Sequence, residues 1–233
     1  MSIKKTYGTI LKIKDLSKTA KEVQIKLKEP LNFIAGHFIN IFIVINGEKT
    51  RRAYSISSSD QEQNIITLSV RLSPQGKMTP LFWNKNLTGE EVEIMGPLGL
   101  NSADKMLQPN IYLFAFGIGA GVVKSLLEHF ENKPSVQKII LMTGSRTEDE
   151  VIYKDFFDSI QTKSNKLQNT YVVSQPNTDS EFKEGYIQDH VEGLNFNNSD
   201  VYVCGQEIAC NALVEKVKIT NPKNCNLFIE AFH

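Results

Sequence analysis

The chain has 233 residues, 41% of them hydrophobic and 22% charged, the profile of a water-soluble globular protein with room for one large domain or two small ones. Its 26 lysines and arginines balance 26 aspartates and glutamates, which argues against a nucleic-acid partner. The three cysteines, Cys204, Cys210 and Cys225, form no C-x-x-C pair, so a disulfide scaffold is not expected and a cytoplasmic setting is favoured. A four-thiolate iron–sulfur cluster cannot be built from this chain alone. No apolar run reaches bilayer length and MSIKKTYGTI lacks a signal-peptide core, so no membrane insertion is expected.

The first hundred residues read as β. YGTILKIKDL, KEVQIKLKEP, GHFINIFIVING, RRAYSISSS and NIITLSVRLS alternate or run β-branched, with Asn-Gly at 46–47 and Gly, Pro or Ser clusters between them. Short strands with frequent turn signals predict an antiparallel β-barrel. One helix is expected at TPLFWNKNL, with Thr79 as N-cap and Pro80 in the first turn. GPLG at 96–99 reads as the turn that ends the barrel.

NSADKMLQPN, 101–110, is polar and broken by Pro109, and reads as the linker. Beyond it the pattern alternates between apolar strands and helical stretches: IYLFAFG, VVKSLLEHFEN, KIILMTG, DEVIYKDFFDSIQTK, NTYVVSQ, YIQDHVEGL, DVYVCG, EIACNALVEKVKI and NLFIEAF. This order predicts a parallel sheet with helices on both faces. The division is therefore a β domain over 1–104 and an α/β domain over 105–233. A ligand site is expected at the carboxyl ends of the parallel strands, in the cleft between domains.

Within RRAYSISSS, an aromatic can stack on a flat ring, an arginine beside it can hold a phosphate, and a hydroxyl can bond a ring nitrogen. The same residues also suit an edge strand with solvated arginines. GKMTP at 76–80 reads either as a backbone cradle for pyrophosphate or as a plain capped helix. Gly117 and Gly119, between an apolar strand and a helix, suit a dinucleotide phosphate.

Taken in order, R-x-Y-S at 52–55, G-x-x-T at 76–79 and G-P-x-G at 96–99 resemble the flavin domain of the ferredoxin–NADP reductase family. FGIGAGVVKS is similar to that family's nucleotide loop, with Gly121-Val122 where Thr-Pro is usual. GSRTEDEVIY, YVCG and IEAF resemble its later motifs, with Asp149 or Glu150 for the family's Asp. The resemblance implies an FAD-binding β-barrel followed by an NAD(P)-binding α/β domain, passing hydride from nicotinamide to flavin N5. It places Arg52, Ala53, Tyr54, Ser55, Val70, Gly76, Lys77, Met78, Thr79 and Phe232 at the flavin. It places Gly117, Gly119, Ser145, Arg146, Ser174, Lys183, Tyr186, Cys204 and Gly205 at the nicotinamide nucleotide.

The catalytic set implied is Ser55 near flavin N5, Cys204 beside the nicotinamide and Glu230 positioning Ser55. Arg146, Ser174, Lys183 and Tyr186 incline the nucleotide choice to NADPH over NADH, against Gln175, Glu148 and Asp149. The implied partner is an electron carrier such as ferredoxin or flavodoxin, with Lys4, Lys5, Lys12 and Lys14 as a basic patch for it. Three other readings stay open: an NAD(P)H:flavin reductase, the reductase component of an oxygenase, and a nucleotide-sensing protein without catalysis.

Overall fold

A computed structural model describes residues 2–232; His233, which follows the terminal aromatic, lies outside the described residues. The alternating first half folds into six strands: β1 (Lys4–Asp15), β2 (Ala20–Leu27), β3 (Phe38–Ile45), β4 (Glu48–Ser55), β5 (Ile65–Arg71) and β6 (Glu91–Leu98). They pair antiparallel in the order β4-β3-β6-β1-β2-β5. A bridge from Ile56 to Leu68 joins the two outer strands and curls the sheet into a barrel. The inward residues, Val23, Ile25, Ile39, Ile41, Ile66 and Leu68 among them, bury one apolar core.

In this half two elements differ from the sequence reading. Residues 96–98 are not a closing turn but the end of β6, the strand between β1 and β3. Glu91 and Glu93 on its outer face mask an inner face of Val92 and Ile94. The expected helix at 79–87 shrinks to α1 (Leu81–Asn84), and Thr79 does not cap it. The Thr79 hydroxyl instead turns back to Ser73, accepting its N–H at 3.0 Å and donating to its carbonyl at 3.1 Å. Threonine side chains commonly make such local bonds in competition with helix starts. The lysines proposed as a patch are exposed along β1, but Lys5 pairs with Glu93 at 3.1 Å, which blunts the positive field there.

The second half gives β7 (Asn110–Phe116), α2 (Ala120–Phe130), β8 (Lys138–Ser145), α3 (Lys154–Lys163), β9 (Leu167–Val173), β10 (Lys183–Glu184), β11 (Ser199–Gln206), α4 (Glu207–Ile219) and β12 (Cys225–Phe232). The sheet order is β10-β9-β8-β7-β11-β12 with every pair parallel. Residues 186–194, read as a helical stretch, form only a 3-10 turn over Ile187–Asp189. Helix α3 starts late because Tyr153, with φ of 62°, turns the chain just before it. The polar linker is packed: Ala103 and Met106 are buried, and Ala103 N–H bonds the Ala35 carbonyl at 2.9 Å.

The two halves meet where α2 lies on barrel residues 57–60 and on β5. The Ser125 hydroxyl donates to the Ser58 carbonyl at 2.7 Å, and Lys124 Nζ to the Ser57 carbonyl at 3.2 Å. His129 Nδ1 sits 2.6 Å from Asp60 Oδ2. Burial pushes the Asp60 carboxyl up, but the bonds from His129 and the Ala35 N–H outweigh it and hold the group below its usual range. Tyr153 and Ser69 hydroxyls bond at 2.7 Å across the same seam. At its tightest point a Cβ on Gly121 would fall 2.2 Å from Ser69 Oγ. Replacing a helical glycine by alanine ordinarily stabilises by about 1 kcal/mol. Gly121→Ala should instead cost ~1–3 kcal/mol through overpacking; urea denaturation measures this, and a net gain in stability would refute the close-approach account.

Candidate functional site

Two clefts of about 500 and 510 Å³ open side by side at the carboxyl ends of the parallel strands. The first lies between the barrel and the ends of β7, β11 and β12. Its walls are largely aromatic, with Phe38, Tyr54, Phe116 and Phe232, and carry the hydroxyls of Ser55 and Ser69. Strand alternation in β4 puts Tyr54 against the barrel, its ring edge-on to Phe82 with centroids 6.4 Å apart. The Tyr54 hydroxyl is buried with no partner, and burial pushes its pKa up. An unpaired buried hydroxyl costs roughly 1–3 kcal/mol, so it suits a polar atom of a bound ring system.

Ser55 and Glu230 come together across the cleft although 175 residues separate them. Ser55 Oγ donates to Glu230 Oε1 in a short hydrogen bond, and the Tyr202 hydroxyl donates to Glu230 Oε2 at 2.6 Å. Burial pushes the Glu230 carboxyl up, and the two hydroxyl donors pull it partly back. The parallel ladder sets this geometry: Cys204 faces Glu230 and Gln206 faces Phe232 across β11 and β12.

The second cleft is lined by Gly117, Ser145, Arg146, Ser174 and Tyr186, with Ser17, Thr19 and Arg71 from the barrel. Tyr186 is 59% exposed, an aromatic face free to stack. Arg146 Nε donates to Gln175 Oε1 at 3.1 Å. The acidic neighbours of Arg146 are engaged elsewhere. Glu148 accepts from the Asn177 N–H at 3.0 Å and from its side-chain amide at 2.8 Å, while Asp149 lies 3.6 Å from Lys18.

Other sequence candidates sit outside the walls of both clefts. Arg52 is exposed and donates to the Arg51 carbonyl at 2.7 Å. Val70 and Met78 side chains are buried in the barrel core. Gly76 N–H is spent on the Ser73 carbonyl at 2.9 Å, and Lys77 pairs with Glu48 at 3.0 Å. The N–H groups of Lys77, Met78 and Thr79 have no acceptor among the described residues, leaving three donors for an anion. Lys183 is exposed on the edge strand β10. Cys204 is fully buried beneath the Gly117–Gly119 turn: a Cβ on Gly119 would lie 2.5 Å from its carbonyl and 3.2 Å from its sulfur. Gly205, at φ 145°, packs against Phe116, where a Cβ would come within 2.6 Å. His37 is buried, and its Nδ1 accepts the Ile34 N–H at 3.0 Å, a structural contact.

The sequence reading missed Arg71, Tyr202, Phe116 and Gln206. Arg71, Phe116 and Gln206 border both clefts. Arg71 Nη2 lies 3.9 Å from Glu150 Oε1, which also accepts the Thr19 hydroxyl at 3.1 Å. A Cβ on Gly117, whose φ is 55°, would sit 3.0 Å from Arg71 Nη1. The available signal was a lone cation closing an apolar strand.

A barrel carrying an aromatic cleft, beside a parallel sheet carrying a glycine turn, is the two-domain arrangement of an FAD- and NAD-binding oxidoreductase module. Residues 8–102 match the oxidoreductase FAD-binding domain model and residues 113–215 the oxidoreductase NAD-binding domain model. The chain is 24% identical over 232 residues to the reductase component DmpP of phenol 2-monooxygenase from Pseudomonas sp. (strain CF600). That alignment covers 97% of this chain and 65% of the relative, so the chain spans less than two thirds of the relative's length. Cytochrome P450 reductase GcoB from Amycolatopsis superposes with a TM-score of 0.85 at 23% identity, over 99% of this chain and 70% of that one. A ferredoxin NADP+ reductase from Neisseria gonorrhoeae with bound FAD and NADP gives 0.85 at 17% identity, over 98% of each chain. The chain belongs to the ferredoxin–NADP reductase family of FAD- and NAD-binding oxidoreductases. Among the described residues no helix is long and apolar enough to cross a membrane.

Arg71 is the cation nearest the glycine turn and should bear on nucleotide affinity. Arg71→Ala should weaken nicotinamide-nucleotide binding about tenfold or more, read as Kd by calorimetry; an unchanged Kd would leave Arg71 with only its ion pair to Glu150.

Proposed function

We propose that this protein is an FAD-dependent NAD(P)H oxidoreductase that delivers electrons to a separate carrier protein of the ferredoxin or flavodoxin type. The single observation that carries this reading is the wall shared by the two clefts, Arg71, Phe116, Ile118 and Gln206, which sets two ligand sites edge to edge. Bound flavin supplies hydride acceptance at N5 and one-electron release. The protein's own part is positioning and exclusion of water.

Tyr54 packs the ring, and its buried hydroxyl meets a polar atom of the ligand. Ser55 presents its hydroxyl to the reacting edge, held by Glu230. Arg52 exchanges its contact with the Arg51 carbonyl for the pyrophosphate, joined by the N–H groups of Lys77, Met78 and Thr79. Because α1 has only four residues, these amides and not a helix dipole do the work. Ala53 lines the same cleft, and the backbones of Val70 and Gly76 flank it. Phe232 covers the ring until nicotinamide displaces it.

On the nucleotide side Gly117 and Gly119 receive the pyrophosphate, with Ser145 beside them. Cys204 and Gly205 shape the floor under the nicotinamide. Arg146, Ser174 and Tyr186 converge on the second cleft and favour the extra phosphate of NADPH, with Lys183 at its edge. Lys18, 3.6 Å from Asp149, offsets part of the negative charge beside Arg146, while Glu148 keeps its charge, its carboxylate held by hydrogen bonds from Asn177. The setting consistent with this chemistry is the cytoplasm.

A second reading, the reductase component of an oxygenase whose cluster sits outside these residues, is supported by the name of the phenol 2-monooxygenase relative. Reduction by NADPH of a one-electron dye, of ferredoxin and of an iron–sulfur oxygenase partner separates the two.

Purified protein should be yellow and reduce a dye with NADPH. Arg52→Ala should lose flavin absorbance, whereas Cys204→Ala should keep it and slow hydride transfer in stopped flow. Full flavin occupancy in Arg52→Ala would remove that arginine from the site. Arg146→Ala should lower kcat/KM for NADPH by about tenfold or more and leave NADH nearly unchanged; equal losses for both would end the NADPH assignment.

A further inference from the structure

The Ser55–Glu230 contact has a third member with no place in the scheme above. Tyr202 is fully buried in the α/β core, two residues before Cys204 on β11, and its hydroxyl reaches Glu230 Oε2 at 2.6 Å. Ser55 occupies Oε1 of the same carboxylate. The two oxygens therefore face opposite ways, one toward the cleft through Ser55, the other into the protein through Tyr202.

The geometry points to Tyr202 as a positioning residue that keeps the Glu230 proton on the cleft-facing oxygen and thereby sets whether Ser55 donates or accepts there. This rests on the reductase reading for its purpose, but not for its test.

A tyrosine hydroxyl bonded to one carboxylate oxygen acts as its donor. With Oε2 satisfied by Tyr202, the proton of a neutral Glu230 goes to Oε1. When Glu230 is ionised, Oε1 takes the Ser55 hydrogen, and Ser55 shows the cleft only lone pairs, a match for a ligand N–H. When Glu230 is neutral, Oε1–H donates to Ser55, whose own O–H turns to the cleft, a match for an unprotonated ring nitrogen. One proton on Glu230 thus reverses the polarity of the Ser55 hydroxyl. Without Tyr202 the proton is free to move to Oε2, and Ser55 keeps donating to Oε1 in both states.

The groups around Glu230 are few. Cys204 faces it from β11, while Cys210 on α4 packs in a separate apolar cluster and feels the carboxylate only through its field; burial pushes both thiols up, Cys210 to about 11, so they stay neutral. Phe232 and Phe228 flank it on β12. Among the described residues no lysine, arginine or histidine bonds it. The carboxyl, raised by burial, is therefore governed by its two hydroxyl donors.

The test is a pH titration of the Glu230 carboxyl by infrared difference spectroscopy, with Glu230→Gln identifying the band. Tyr202→Phe removes a hydrogen bond to the charged form and should raise the carboxyl midpoint by about one pH unit or more. It should also abolish the pH-dependent change in the Ser55-facing band of the neutral acid. An unchanged or lowered midpoint overturns the proposal. Should Tyr202→Phe not fold, 13Cζ-tyrosine NMR of the unaltered protein decides it. The Tyr202 signal should move with the Glu230 midpoint, and a signal indifferent to it overturns the proposal equally. Neither readout needs turnover, so a protein that bound no flavin would refute the reductase reading and still decide this one.

Discussion

Helix α2 approaches β5 as closely as it does because residue 121 has no side chain: a Cβ there would fall 2.2 Å from Ser69 Oγ. The two clefts take their common wall from that closeness. The helix carries the glycine turn at its start, and β5 on the other side of the seam carries Ser69 and Arg71. Bringing helix and strand into contact sets the two clefts wall to wall. A methyl group there would wedge them apart near Ser69, and the separation would grow with distance from the wedge. The family pattern places threonine followed by proline in this loop, so the Gly121-Val122 pair is a change of packing as well as of sequence.

The seam also explains the division of labour along RRAYSISSS. Its first half forms β4 and gives the first cleft Ala53, Tyr54 and Ser55. Its second half has left the strand, and the Ser57 and Ser58 carbonyls receive Lys124 and Ser125 from α2. Asp60 completes the contact through His129. One continuous stretch thus lines the aromatic cleft and bonds the opposing domain.

Most of the architecture was legible from alternation, turn residues and the switch to strand–helix order. What escaped did so for identifiable reasons. Strand β6 was hidden because its outward glutamates and its Gly-Pro read as polar turn material. The cap at Thr79 failed because Ser73 lay within reach of the same hydroxyl. Tyr202 and Arg71 were invisible because their importance arises from contacts between distant segments. Tyr202 lies in a run of apolar residues where an aromatic reads as core, which it also is. Arg71 ends a strand whose pattern reads as packing. Ser55 and Glu230 were named from resemblance, while the distance that joins them comes from the fold. Val70 and Met78, named the same way, turn their side chains into the barrel, leaving only main-chain atoms for any ligand.

Strand β12 pairs with β11 over eight consecutive rungs, from Ser199 and Cys225 to Gln206 and Phe232. Such a ladder works as a ruler. Glu230 and Phe232 are two residues apart and so point the same way, as do Tyr202 and Cys204 on the neighbouring strand. A slip of one residue in the turn before β12 would send both side chains to the opposite face of the sheet. The hydrogen-bonded trio and the aromatic cover would vanish together while the sheet itself stayed intact. Loop length at 220–224 is thus as strict a determinant of the site as any residue that lines it.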